Sequence, residues 1–404
     1  MSHASSTAPA TPPGRIILPS GVRALAAVAA LAGIGTLAWL FSAGDVQRAW
    51  GAYLIAVFFT IGLGISGAAW LAIFSLTGAA WPVTMRRIPE AMTAWLLPGG
   101  VLAMLVGLGA RSLYEWSHAE AIAADKVLTH KAAFLNMNLF YPLLGVSLLV
   151  WVVFSRLLTG TSYRQDERGG IALTRTRRTA SAIFLVLFAL TLSVVSYYLL
   201  MSLEPHWYST MMTVLVFTDL MQAGTAFVAV VAGVFVLRGT LKGFLNEHHL
   251  HSLGKMLFAW TGFWAYIYFC QFMLIWYANI PEETAYFLRR SANGWLPYLL
   301  LLPALKFVVP FLLLLPRRAK RSPSRLVPIA LLILFAQFWE LYVMVRPALG
   351  QAEAAAQAGL PYVEFAATAG ALGLFTLVFG WTLGRHGAIP LKDPALAECL
   401  EYHS

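Results

Sequence analysis

Ten mainly apolar stretches of about 20 residues or more succeed one another along this chain, separated by short polar segments. They lie near 24–43, 50–76, 90–110, 132–156, 180–201, 209–237, 254–278, 295–316, 326–345 and 361–384. At 1.5 Å per residue each can cross a hydrocarbon core about 30 Å thick, so the pattern predicts an all-α polytopic membrane protein of about ten spans. Pro98, Pro142, Pro303 and Pro310 fall inside spans. Membrane helices tolerate such prolines where neighbours satisfy the freed carbonyls.

The spans group into a first helix, two four-helix bundles over 50–201 and 207–345, and a last helix over 361–384. Together they make one transmembrane domain over 21–385. The two bundles correspond faintly. Each has a basic turn after its first helix (Arg86-Arg87; Arg238 to Lys255) and a Tyr with acids close behind after its second (Tyr114-Glu115; Tyr277 to Glu282-Glu283). Each also has a proline in its third helix (Pro142; Pro310) and a closing basic loop (164–178; 317–325). Residues 1–20, rich in Ser, Thr, Pro and Ala without a signal-peptide pattern, read as a disordered tail, and 386–404 as a second tail.

Composition agrees with the class: 59% hydrophobic, 11% charged and a mean hydropathy of +0.71 exclude an ordinary soluble domain. The net charge of +10 matters through its distribution. Twenty of the 28 Lys and Arg residues lie in the loops joining even to odd helices or in the termini. Seven lie in the opposite loops, and the last is Lys306. The positive-inside rule therefore predicts both termini in the cytoplasm, and the basic excess is a topology signal with no nucleic-acid partner implied.

Two cysteines, Cys270 and Cys399, cannot hold an iron–sulfur cluster, and the nine histidines map to tails, loops or helix ends, out of reach of a haem inside the bundle. His248, His249 and His251 have only Glu247 nearby, a poor metal set. No tightly held redox cofactor of its own is expected. Lipids, and a quinone in a larger complex, are the candidate ligands.

The chemistry that remains is charge at depth. Asp219 and Lys306 each sit near the middle of an apolar run, where an ionised side chain costs roughly 2.5–3.5 kcal/mol on insertion scales. Counting residues places both near the midplane, with Glu340 in the outer half of the ninth span, Glu364 near the outer end of the tenth, and His206 before the sixth. Such a ladder suits a proton relay. On the inner half, Thr191, Ser193, Ser196, Tyr197 and Tyr198 are expected to supply hydroxyls. The alternative is a salt bridge that only joins the sixth and eighth helices. The non-cytoplasmic loops 111–131 and 346–360 are long enough to dock another protein or to be ordinary solvated loops. Trp264, Tyr266, Tyr268 and Gln271 of the aromatic seventh helix either pack the bundle, the better reading, or line a quinone pocket.

The stretch Gly254-Lys255-Met256, Phe263-Trp264-Ala265-Tyr266-Ile267 and Gln271 through Trp276-Tyr277-Ala278-Asn279-Ile280-Pro281-Glu282-Glu283-Thr284 resembles the NrfD-like membrane subunits of alternative complex III, a bacterial quinol:cytochrome c/electron-acceptor oxidoreductase. Thr77-Gly78 to Arg86-Arg87 with Glu90, and Leu113-Tyr114 to Trp116 with Lys131 and Leu135-Asn136, are similar too, and length and span number resemble the smaller NrfD-like subunit. The resemblance implies a non-catalytic, structural and proton-conducting subunit in the bacterial inner membrane. It also implies partners: a larger NrfD-like sister that oxidises quinol, outer-face iron–sulfur and multihaem cytochrome c subunits, and a terminal oxidase as a further candidate. Two alternatives stay open. One is a quinol-binding catalytic subunit using Tyr114, His118, Lys131 or Asn136. The other is a secondary transporter with its substrate at Asp219 and Lys306, which broken spans in matching halves would support.

Overall fold

The computed structural model describes residues 14–350 and 356–404. Among the described residues no strand forms; one isolated antiparallel bridge joins Arg15 to Gly387. Ten helical segments are long and apolar enough to cross a membrane: α1 Ser20–Ser42, α2 Val46–Thr77, α3 Arg87–Leu113, α4 Met137–Arg168, α5 Ala172–Leu203, α6 Met212–Leu237, α7 Glu247–Ala278, α8 Leu296–Leu314, α9 Pro323–Leu349 and α10 Tyr362–Leu383.

Helix α2 is the axis of the assembly. Its most apolar 18-residue window is wholly buried, and every other long helix except α7 and α8 packs on it. In lipid, helices gain from close van der Waals approach, which needs small residues at the crossing. Gly62 of α2 accordingly lies against Leu220 of α6, and Gly224 of α6 against Ser66 of α2, with no room for a Cβ at either glycine. Through this crossing two bundles meet. In the first, α2 packs on α3, α4 and α5; in the second, α6 packs on α7 and α9, and α8 on those same two helices. The faint correspondence in sequence thus has a counterpart in packing. Helix α10 covers α2 and carries α1 on its outer side, where Gly33 and Gly370 face each other so closely that a Cβ on one would lie 2.6 Å from the other's Cα. Gly370→Leu is expected to cost about 1–3 kcal/mol by overpacking this crossing. An unchanged thermal midpoint of the purified protein would show that α1 does not depend on it.

Helices α4 and α5 run well past the predicted ends at 156 and 180, because apolar pattern registers only the part of a helix that lies in lipid. Their hairpin turns on Gly169 and Gly170, both with left-handed φ (68° and 88°). Helix α7 begins at Glu247, where the Asn246 side chain accepts from the His248 and His249 amides. The main departure is α8. It is α-helical over Leu296–Pro303, π-helical over Ala304–Val308 and α-helical again over Val309–Leu314. Pro310 has no N–H to return to the carbonyl four residues back, and that carbonyl belongs to Lys306. The freed oxygen accepts instead from Gln222 Nε2 of α6 at 3.2 Å.

The predicted tail at 386–404 is a packed cap. Ala388, Ile389, Asp393 and Cys399 are buried, and Cys399 Sγ donates to Trp81 O at 3.2 Å. Both cysteines are free. Residues 1–13 of the predicted N-terminal tail, and 351–355 of the loop at 346–360, lie outside the described residues.

Candidate functional site

The break in α8 presents the fully buried Lys306 to the interior of the second bundle. Its ammonium has three protons and donates to three acceptors: Asp219 Oδ1 at 2.6 Å, Gln337 Oε1 at 2.6 Å, and Glu340 Oε2. Gln337 and Glu340 stand three residues apart on α9, so one helix face delivers both. Glu340 Oε1 accepts from Trp264 Nε1 at 3.0 Å, and the Trp264 ring lies 5.4 Å from the ammonium. Asp219 and Glu340 also come within hydrogen-bonding reach of each other. On α6, Gln222 donates to Thr261 Oγ1 of α7 at 3.0 Å as well as to the freed Lys306 carbonyl. The side-chain oxygens Gln222 Oε1 and Thr225 Oγ1, further along α6, are buried without a protein partner.

On the other side of the cluster, Tyr268 stacks on Trp264 with centroids 4.8 Å apart. Tyr286, Glu340, Arg290 and Asp219 all lie near enough to act electrostatically on its hydroxyl. Arg290, buried in the segment between α7 and α8, donates to the carbonyls of Tyr286, Val343 and Met344 and to Glu204 Oε1 at 2.6 Å. Burial alone would lower its pKa, but the neighbouring Glu204 carboxylate holds it above the ordinary arginine value. Glu204 in turn lines a cleft of about 1010 Å³ at the surface opposite the basic loops, shared with His118, Asp125 and His206. Tyr268 thus stands near both the Lys306 cluster and Arg290, whose partner Glu204 reaches an open surface.

The structure brings Asp219, Lys306 and Glu340 together, and it corrects the rest of the predicted ladder. Glu340 is a direct partner of Lys306 and not a step beyond it. Helix α9 continues to Leu349, so Glu340 lies about 14 Å from that end of the helix. Glu364 belongs to a separate cluster: it accepts from Arg48 Nε at 2.9 Å and Nη2 at 3.3 Å, with Arg346 at 3.8 Å. His206 is exposed and pairs with Asp125 at 2.5 Å, a hydrogen bond that holds the Asp125 carboxyl below its ordinary value. It sits at the cleft rim, while Glu204, two residues earlier, makes the inward contact. Thr191, Ser193, Ser196, Tyr197 and Tyr198 do not lie on the inner half. Helix α5 runs from the basic loops outward, which carries them toward the opposite end, where Tyr198 Oη donates to Phe134 O at 2.7 Å.

The four candidate quinone contacts do not converge. Tyr114 donates to Leu199 O and stacks on Trp116, His118 is held to Arg111 O, Lys131 donates to Pro205 O, and Asn136 caps α4. Only Tyr114 and His118 share the large cleft; Lys131 lines a neighbouring cavity of about 200 Å³. Of the seventh-helix residues, Trp264 is buried at the site and Tyr266 is exposed. His248, His249 and His251 are engaged with Ser404, Asn246 and Cys399 O, and no metal-holding group occurs among the described residues.

A second buried charge cluster, absent from the sequence reading, closes the basic end. Arg87 pairs with Glu90 Oε2 at 2.5 Å and with Asp166, and donates to Gly387 O at 3.1 Å. Asp393 pairs with Arg86 and with Arg177 at 3.3 Å. Burial would raise the Asp393 pKa, but the two guanidinia hold it below the ordinary carboxylate value. These bonds tie α3, α4 and α5 to the C-terminal cap.

Ten apolar helices around a buried lysine–carboxylate cluster define an all-α, multi-pass membrane protein. Compared with known proteins, the chain matches no family model and no curated protein.

Proposed function

We propose that this chain is a structural and proton-conducting membrane subunit of a respiratory quinol-oxidising complex, the smaller NrfD-like subunit of alternative complex III, without a redox cofactor of its own. The observation that carries the proton-conducting part is the charge balance at Lys306. One ammonium faces two carboxylates at a site shut off from solvent, with only the neutral Gln337 and Trp264 beside them. Fully ionised, the cluster holds a surplus negative charge, which is costly in low dielectric. One proton shared by Asp219 and Glu340 neutralises it, as in other close carboxylate pairs. A buried group that is stable with one proton and strained without it suits a relay, and pairing charges for stability alone roughly breaks even. Tyr268, Tyr286 and Glu204 supply the outward steps to the cleft, and the unpartnered oxygens of Gln222 and Thr225 offer places for water on the inward side.

In this reading the basic loops and both termini face the cytoplasm of a bacterial cell, and the outer cleft faces the iron–sulfur and multihaem partners. The subunit assignment is tested by purification from native membranes. Polypeptides carrying c-type haem and iron–sulfur clusters are expected to co-purify, and isolation of the chain without them would discard it. In the reconstituted complex, Asp219→Asn is expected to leave assembly and electron transfer in place and to lower the protons moved per electron. An unchanged ratio would remove Asp219 from the path.

One observation favours a second reading. Helix α8 carries a π-helical turn at the charged residue itself, and interrupted helices mark substrate sites in secondary transporters, although its counterpart α4 is α-helical across Pro142. Solute uptake driven by a proton gradient in vesicles holding this chain alone would favour the transporter.

A further inference from the structure

At the basic end, α3, α4 and α10 enclose a cavity of about 490 Å³ that the proton route does not use. We propose that it binds a phospholipid with a primary-ammonium headgroup, the phosphate on Arg156 and Arg385 and the ammonium on Glu90. The walls share the polarity of such a lipid. Glu90 on α3 and Arg385 and His386 just beyond the end of α10 lie nearest the basic loops, and Pro98, Leu377 and Val378 line the deeper part. Arg156 lies two turns deeper than Tyr163 on α4 yet lines the same cavity, and its long side chain suits snorkelling toward a phosphate.

The charges at this cavity are incompletely matched by protein. Neither Arg156 nor Arg385 has a carboxylate partner among the described residues; the Arg385 guanidinium rests on the Trp381 ring, 4.4 Å from its centroid. Both are accessible from outside, as a headgroup site requires. Glu90 is fully buried. Its Oε2 is taken by Arg87 and its Oε1 has no partner. Two free guanidinia and one free carboxylate oxygen are the complement of a zwitterion that carries phosphate and N–H donors on one flexible link. His386, stacked on Tyr163 at 3.5 Å, forms a flat floor between them. Basic pockets between helices at this level are known lipid headgroup sites as a class. The buried acid in the wall is what selects an ammonium over a purely anionic headgroup.

Native mass spectrometry of the full chain in detergent, with lipids of identical acyl chains added, tests this. Phosphatidylethanolamine is expected to be retained about ten-fold better than phosphatidylcholine, whose methylated ammonium has no N–H for Glu90 Oε1. It should also exceed phosphatidylglycerol. Inorganic phosphate, which lacks the acyl chains, should not displace it. The double variant R156A/R385A, at two exposed positions, is expected to lose phosphatidylethanolamine by a similar factor. Equal retention of the choline lipid, preference for the glycerol lipid, displacement by phosphate, or unaltered binding in R156A/R385A would each overturn the proposal. The lipid series needs no change at Glu90, whose pairing with Arg87 supports the fold.

Discussion

Replacing Lys306 by methionine is expected to destabilise the protein by roughly 3–5 kcal/mol, the loss seen when one member of a buried ion pair is removed. Three acceptors from two helices converge on its ammonium. Without it, two carboxyl groups remain close together at a site with no cation and no exposed surface. The triple variant K306M/D219N/E340Q, which removes the charges together, should recover most of the stability. A triple variant no better than K306M would mean that methionine disrupts the packing of α8 and that charge is not the cause.

Arg290→Met is expected to cost as much, again roughly 3–5 kcal/mol. The guanidinium satisfies the carbonyls of Tyr286, Val343 and Met344 and pairs with Glu204, so its loss strands three carbonyls and leaves Glu204 only the longer contact to Arg289 at 3.8 Å. Adding Glu204→Gln should return part of the loss by removing the weakly paired charge, while the orphaned carbonyls keep the double variant below wild type. Thermal unfolding of the three proteins decides this. Full recovery in the double variant would mean that the carbonyl contacts contribute nothing.

The two clusters differ in how far sequence exposes them. Asp219 and Lys306 stand out because an ionised residue within 20 apolar ones has no cheap explanation. Gln337, Trp264 and Gln222 complete the same site but are neutral, and neutral polar residues are common in spans. Trp264 was named only as one aromatic of a rich helix; for the two glutamines, only a three-residue offset from Glu340 or Asp219, or a place opposite a proline-freed carbonyl, could have singled them out. Pro310 was legible as a proline; that it releases the carbonyl of Lys306 follows only from counting four residues back. Glu340 was read as a separate step because nothing in the sequence shows that its face of α9 meets Lys306. Arg290 and Glu204 looked like ordinary loop charges, since their partners come from sequence positions far away. The Arg87–Glu90–Asp166 cluster was hidden for a related reason: positive charge at that end already had a sufficient explanation in topology. The order and number of helices, by contrast, needed nothing beyond local hydrophobicity.

The sharing of one lysine by two acids on different helices sets an order for biosynthesis. Asp219 enters the bilayer with α6, and the arrival of α8 brings Lys306, whose ammonium balances it. A nascent chain that has reached this stage is electrically even at its centre. Glu340 comes later, on α9, and with it the unmatched negative charge. The unmatched carboxylate is therefore acquired with the ninth helix, and a chain truncated before α9 would carry the Asp219–Lys306 pair alone.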